Sequence, residues 1–174
     1  LCGLDNGYKY QGYPRFNCPD GIVGSMQRAG FDMLLTANNH TYDTGETGFL
    51  RTLSVIDGSG LARLGTNADG SEPKYTIQDV NGIKIGMICY TYETEDDDLV
   101  HKSLNGIRLT EKASGLINTF SYQRLEEFYA ELEGHLKAMK AEGAQASILF
   151  LHWGNEYQTR ENDYQRAMAQ AVCD

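Results

Sequence analysis

Two short stretches of this chain concentrate side chains able to move protons or bind cations. One is Asn38-Asn39-His40, followed by Asp43 and Gly45; the other is His152-Trp153-Gly154-Asn155-Glu156. Histidine ligates metals and shuttles protons near neutral pH. An asparagine oxygen is a neutral ligand, useful where carboxylates already supply charge. Adjacent residues at a strand end rarely face one point, so Asn38 and Asn39 are expected to divide their roles. The competing reading makes both asparagines ordinary turn residues and His40 a loop cap. His152 follows Ile148-Leu149-Phe150-Leu151, and strand alternation puts it on one face with Ile148 and Phe150. It is either a site residue or a core histidine. Gly154 lets the backbone bend away there, and Glu156 adds a second polar group. Trp153 either walls a pocket or fills the core.

Both stretches share one grammar: helix, glycine, apolar strand, then an abrupt polar cluster. A helix over 21 to 29 closes at Gly30, and the apolar run 31 to 36 leads into Asn38. A second helix over 122 to 142, capped by Ser121, carries Leu125, Phe128, Tyr129, Leu132, Leu136 and Met139 at helical spacing. It ends at Gly143, and the strand 146 to 151 leads into His152. Helix and strand in alternation predict an α/β fold with parallel strands. In such sheets ligands gather beyond the carboxyl ends of the strands. Both clusters are therefore expected at one edge of the sheet, which singles out His40 and His152 over His101 and His135.

The remaining pattern fills in around these units. A helix over 46 to 58 presents Phe49, Leu50, Leu53 and Ile56 on one face, and 61 to 65 is a short strand. Asn81-Gly82 between two strand-like runs marks a β-hairpin over 75 to 90. The stretch 93 to 120 opens with Glu93, Glu95, Asp96, Asp97 and Asp98 and shows little periodicity. It reads as an insertion or long loop, solvated rather than a calcium site, because the EF-hand spacing is missing. A last helix is expected over 161 to 172.

Composition narrows the function. The 174 residues suit a single domain spanning 1 to 174. Fifteen Lys and Arg against twenty-four Asp and Glu give a net charge of -9, which argues against a nucleic-acid partner. No apolar run is long enough for a membrane span, and no signal peptide opens the chain. It starts at Leu1-Cys2-Gly3 without an initiator Met, so it reads as an excised domain with any targeting signal outside it. Cys2, Cys18, Cys89 and Cys173 form no CxxC pair. Cys89 reads as a buried small hydrophobe, and a Cys2–Cys18 bridge suits an oxidising compartment.

At these residues the sequence resembles a known family, the CapA-type bacterial capsule synthesis (poly-γ-glutamate) proteins. The matching text is Ala29-Gly30-Phe31-Asp32, Ala37-Asn38-Asn39-His40 with Asp43 and Gly45, Thr52-Leu53, Gly65-Thr66, and Leu151-His152-Trp153-Gly154-Asn155-Glu156-Tyr157. Gly12-Tyr13-Pro14-Arg15-Phe16-Asn17 and Pro19 resemble the segment preceding these. The resemblance implies a calcineurin-like metallophosphoesterase fold, a layered sheet flanked by helices, here in a truncated version. Asn38-Asn39-His40 is similar to that fold's GNH[DE] motif. By that likeness Asn39 and His152 are candidate ligands of a divalent metal (Mn, Zn or Fe). His40 is the candidate proton donor to a leaving oxygen, with Asp43 holding it from behind. Asn38, Trp153 and Glu156 stand as substrate-binding or supporting residues.

The family's early Asp motif and late GHxH have no match, and Asp5 sits too far into the N-terminal loop to stand in for the former. The metal site is therefore expected to be incomplete, with weak binding and little turnover. The implied role is synthesis or export of an anionic capsule polymer, extracytoplasmic and bound to the bacterial envelope, beside capsule-synthesis membrane proteins. The alternatives are a non-catalytic scaffold and a general metal-dependent phosphatase or nucleotidase acting on a phosphoester.

Overall fold

The computed structural model describes residues 1, 9–94 and 100–173. Asp5, Cys2 (one half of the Cys2–Cys18 pairing considered above) and the acidic residues Glu95 to Asp98 lie outside the described residues. Cys18, Cys89 and Cys173 are free thiols.

The chain runs α1 (Gly21–Arg28), β1 (Met33–Leu35), α2 (Gly45–Ser59), β2 (Ala62–Leu64), β3 (Tyr75–Val80), β4 (Ile83–Tyr92), β5 (Ser103–Leu104), β6 (Ile107–Arg108), α3 (Glu111–Leu116), β7 (Thr119–Phe120), α4 (Leu125–Ala141), β8 (Ala146–His152) and α5 (Asp163–Cys173). A 3-10 turn at Tyr122–Arg124 precedes α4, and the Ser121 hydroxyl caps it by accepting from the Gln123 N–H.

The parallel strands fall into two sheets rather than one. β1 pairs with β2 in parallel. β4 is the centre of the second sheet, pairing antiparallel with β3 and parallel with β8 and β7. The two sheets meet at Ala37, Leu64 and Cys89, with Met33, Met87 and Phe150 packed alongside. Gly65 permits this approach. It has φ +102°, and a Cβ there would lie 2.6 Å from Ala37 Cβ and 3.2 Å from Cys89 Cβ.

Helices cover the outer faces. α1 and α2 close over β1 and β2 through Val23, Ile56, Leu61 and Leu34, and Arg51 of α2 grips Asp20 just ahead of α1. α4 and α5 cover the larger sheet: Phe128, Leu132, Met139 and Met168 pack on Ile88 and Tyr90. The layering is α/β with helices outside, the fold class expected.

Residues 100–120 differ from the loop expected of them. Asn105 (φ 49°) and Gly106 (φ 70°) make the same kind of hairpin turn as Asn81 (φ 55°) and Gly82 (φ 86°). They join β5 to β6. Thr110 caps α3 by accepting from the Ala113 N–H. Leu104, Leu109, Ala113, Leu116 and Ile117 then bury against Tyr42, Phe49 and Leu53. Strands of two residues carry no periodicity to detect, which is why the pattern looked like a loop.

Candidate functional site

The carboxyl end of β1 is wired into a tight turn. Thr36 N–H and its hydroxyl both reach the Leu64 carbonyl (2.8 and 3.0 Å). Thr41 donates its hydroxyl to the Thr36 carbonyl and accepts from Asn38 N–H at 3.0 Å. Asn38 Oδ1 accepts from His40 N–H at 2.9 Å, an Asx-turn. Asn38 is thus spent on the backbone, and Asn39 points the other way.

Asn39 meets the end of β8. His152 Nε2 lies 2.9 Å from Asn39 Oδ1, and the oxygen can only accept, so Nε2–H donates. Tyr92 lies parallel to the His152 ring (6.1 Å, 11°). Desolvation at the strand end pushes His152 below the ordinary histidine pKa, and the charge of His40 adds to this. Two imidazoles 112 positions apart in sequence therefore share one rim, although their strands belong to different sheets.

His40 is held from behind. Its Nδ1 lies 2.8 Å from Asp43 Oδ2. Asp43 is only 7% exposed and also accepts from Phe16 N–H at 2.7 Å and Asn105 Nδ2 at 2.9 Å. Asn105 Nδ2 is also 3.2 Å from His40 Nδ1. Its two hydrogens are taken by Asp43 and by the Pro14 carbonyl at 3.0 Å. The proton between His40 and Asp43 is therefore on Nδ1, which leaves Nε2 as the nitrogen that exchanges protons. Phe16 packs edge-on against the ring at 4.6 Å, fixing its plane.

The other expected residues fall around this rim. Trp153 packs against the α4 side of the sheet and also lines, with Leu35, Asn38, Phe150 and His152, a cavity of about 660 Å³ between the sheets. Glu156 is exposed; its charge reaches Tyr92 and raises that phenol's pKa, after burial of the ring. Phe16, Tyr92 and Asn105 were missed by sequence reasoning. Asn105 had a signal, the Asn105-Gly106 dipeptide, but nothing local shows that this hairpin folds back onto His40.

A metal centre needs more donors than this rim supplies among the described residues. Asn39 Oδ1 and His152 Nε2 are both neutral and are satisfied by each other, while Asp43 has both oxygens occupied. Among the described residues no three His, Cys, Asp or Glu side chains gather to hold an ion. A catalytic zinc takes three protein ligands, and a two-metal centre needs more. These residues alone do not fit such a centre.

Comparison with known proteins gives the family. Residues 3–174 match the family model described as bacterial capsule synthesis protein PGA_cap, and the chain belongs to that family. It is 26% identical over 153 residues to the capsule biosynthesis protein CapA of Bacillus anthracis, covering 87% of this chain and 34% of that protein. It is 27% identical over 154 residues to the PGA biosynthesis protein CapA of Bacillus subtilis (strain 168), covering 87% of this chain and 36% of that protein. The chain thus spans about a third of the length of these curated relatives. No helix among the described residues is long and apolar enough to cross a membrane.

Proposed function

We propose that this member of the capsule synthesis family acts on an anionic envelope polymer, poly-γ-glutamate, on the outer side of a bacterial membrane, with the Asn39–His40–His152 rim as its working surface. The observation carrying this reading is the His40–Asp43 pair. A buried carboxylate fixes the tautomer, an aromatic edge fixes the ring, and Nε2 is left to exchange a proton with a bound substrate. The printed name of one relative, a PGA biosynthesis protein, supports the polymer.

In this mechanism His40, protonated at Nε2 from solvent, gives that proton to the departing oxygen or nitrogen of the polymer or its precursor, while a water molecule adds to the atom it leaves and releases its own proton to solvent. Asp43 stabilises the imidazolium before the transfer and holds the ring after it. Asn39 and His152 act as neutral polar contacts for the substrate, and Glu156 and Trp153 stand at the edge of the same opening. A divalent cation (Mn, Zn or Fe) would need carboxylate ligands beyond Asn39 and His152, so no step is routed through one. Capsule-synthesis membrane proteins would be the partners that deliver or accept the polymer.

A scaffold role is the second reading, favoured by the mutual hydrogen bond that occupies Asn39 Oδ1 and His152 Nε2. Polymer output from cells carrying His40→Ala in the full-length protein separates the two. Loss of a general acid costs about 10²–10⁴ in rate, so output should collapse while thermal stability is retained. Normal output with His40→Ala would leave the scaffold. Turnover of a chromogenic phosphodiester only with manganese would favour the phosphatase alternative.

A further inference from the structure

A cavity of about 330 Å³ opens on the helix side of the rim. Its walls come from α1, α2, β1 and the loop carrying Phe16 and Cys18, and the His40 ring lines it as well. Among the described residues no Asp, Glu, Lys or Arg side chain lines it. In a chain with fifteen Lys and Arg and twenty-four Asp and Glu, a wall without any of them is selective for uncharged matter.

The apolar lining follows from helix spacing. Ile22 and Met26 lie four residues apart on one face of α1, and Phe49, Leu53 and Ile56 of α2 supply buried wall. Both ends of α1 are fixed to α2: Arg51 grips Asp20 just ahead of it, and Gln27 donates to the Ser59 carbonyl at 2.6 Å. The lining is open to solvent. Ile22, Leu35 and Phe16 are 41%, 45% and 47% exposed. Exposed apolar side chains scattered singly are ordinary, whereas several around one opening mark a binding surface. The polar wall atoms are largely spent on the backbone: the Thr36 and Thr41 hydroxyls and Asn38 Oδ1 all bond main-chain groups. His40 Nδ1 is held by Asp43, so Nε2 is the ring nitrogen left for a ligand.

We propose that this cavity takes the hydrocarbon chain of an amphiphile whose polar head sits at His40. Its volume is at the low end of the range for small-molecule pockets, which suits one chain. Each methylene that leaves water for such a wall raises affinity about fourfold. A charged or hydroxylated group in the same place would lose its water and find no partner. That the head is a reacting group rests on the function proposed above, whereas the affinity for the chain rests on the cavity alone.

The test is calorimetric titration of the chain with decyl phosphate, below its micellar concentration, and with butyl phosphate. Decyl phosphate should bind one to one. Butyl phosphate keeps the head but little of the chain, and should bind at least about tenfold more weakly. Ile22→Gln and Met26→Gln should each weaken decyl phosphate about tenfold, because a buried amide there lacks a partner, with the melting temperature near that of the wild type. Val80→Gln, at an apolar residue 47% exposed on β3, should change nothing and so excludes general adhesion. His40→Ala should also weaken decyl phosphate, by losing the contact to its head. No binding of decyl phosphate, equal affinity for the two phosphates, or binding indifferent to both Ile22→Gln and Met26→Gln would overturn the proposal. Undiminished binding in His40→Ala would overturn the placing of the head. Chain binding beside normal polymer output from His40→Ala would keep the cavity and refute the acid role of the rim; lost output without chain binding would do the reverse.

Discussion

Removing the Asp43 carboxylate should be the most damaging single change at the rim. Asp43 accepts three hydrogen bonds, from Phe16 N–H, His40 Nδ1–H and Asn105 Nδ2, at 2.7, 2.8 and 2.9 Å. Hydrogen bonds to a charged group are each worth about 1.5–3 kcal/mol. The Phe16 and Asn105 bonds count at the low end of that range. The His40 bond counts for less, because that side chain is 25% exposed and water can replace the acceptor. The sum for Asp43→Ala is about 3–4 kcal/mol, or a fall of roughly 10 °C in melting temperature for a chain of this size. Chemical denaturation of Asp43→Ala, Asn105→Ala and the double variant measures it. The cycle should return a coupling of about 1–2 kcal/mol between the two residues. A loss under about 1 kcal/mol for Asp43→Ala, or additive single effects, would show that this network does not hold the N-terminal loop and the β5–β6 hairpin onto His40.

Other outcomes follow from the same geometry. Gly65→Ala should cost about 3 kcal/mol or more, since the new methyl meets Ala37 Cβ at 2.6 Å and the backbone sits at φ +102°; wild-type stability would mean the sheets do not approach as described. Calorimetry of the chain with manganese or zinc should give weak binding, and sub-micromolar affinity would refute the incomplete donor set. In NMR titration His152 should have its midpoint below the ordinary 6.5, rising in His40→Ala because that charge lowers it; no response would place the rings too far apart. Burial, with Lys74 adding and Glu131 opposing, holds His135 below 6.5. The unfolded chain then binds the proton first, so stability should fall as pH drops below about 6.5. His135→Gln should flatten part of that decline between pH 7 and 5, and identical curves would rule the contribution out.

The elements legible in the sequence were those with a long repeat or a hard stop. Leu125 to Met139 announce α4 through a stripe that packs on Ile88 and Tyr90. Gly30 and Gly60 stop α1 and α2 with positive φ, and Asn81-Gly82 sets the β3–β4 hairpin. The rule that polar clusters gather beyond strand ends located His40 and His152 correctly relative to one another. The rule's premise of one sheet did not hold: β1 and β8 reach the rim from two sheets, and two sheets look the same as one in the helix–strand order. Asn105 was illegible for another reason. Its bonds to Asp43 and Pro14 span 62 and 91 positions, and no local pattern encodes a contact of that range.

The charge of the rim also bears on how an acidic chain could approach an acidic polymer. Asp43 is the carboxylate nearest His40, and its two oxygens are covered by three donors, so its field is partly cancelled at the opening. Asn39 and a neutral His152 add no charge. Among the described residues around this rim, Glu156, exposed beside Tyr92, is left to repel an incoming carboxylate. Glu156→Gln should therefore strengthen the capture of an anionic oligomer at the rim, with a larger gain at low salt than at high salt. If Glu156→Gln instead weakened capture at every salt concentration, Glu156 would be a contact for the substrate and not a barrier, and the polymer would have to present a hydrogen-bond donor or a cation at that position.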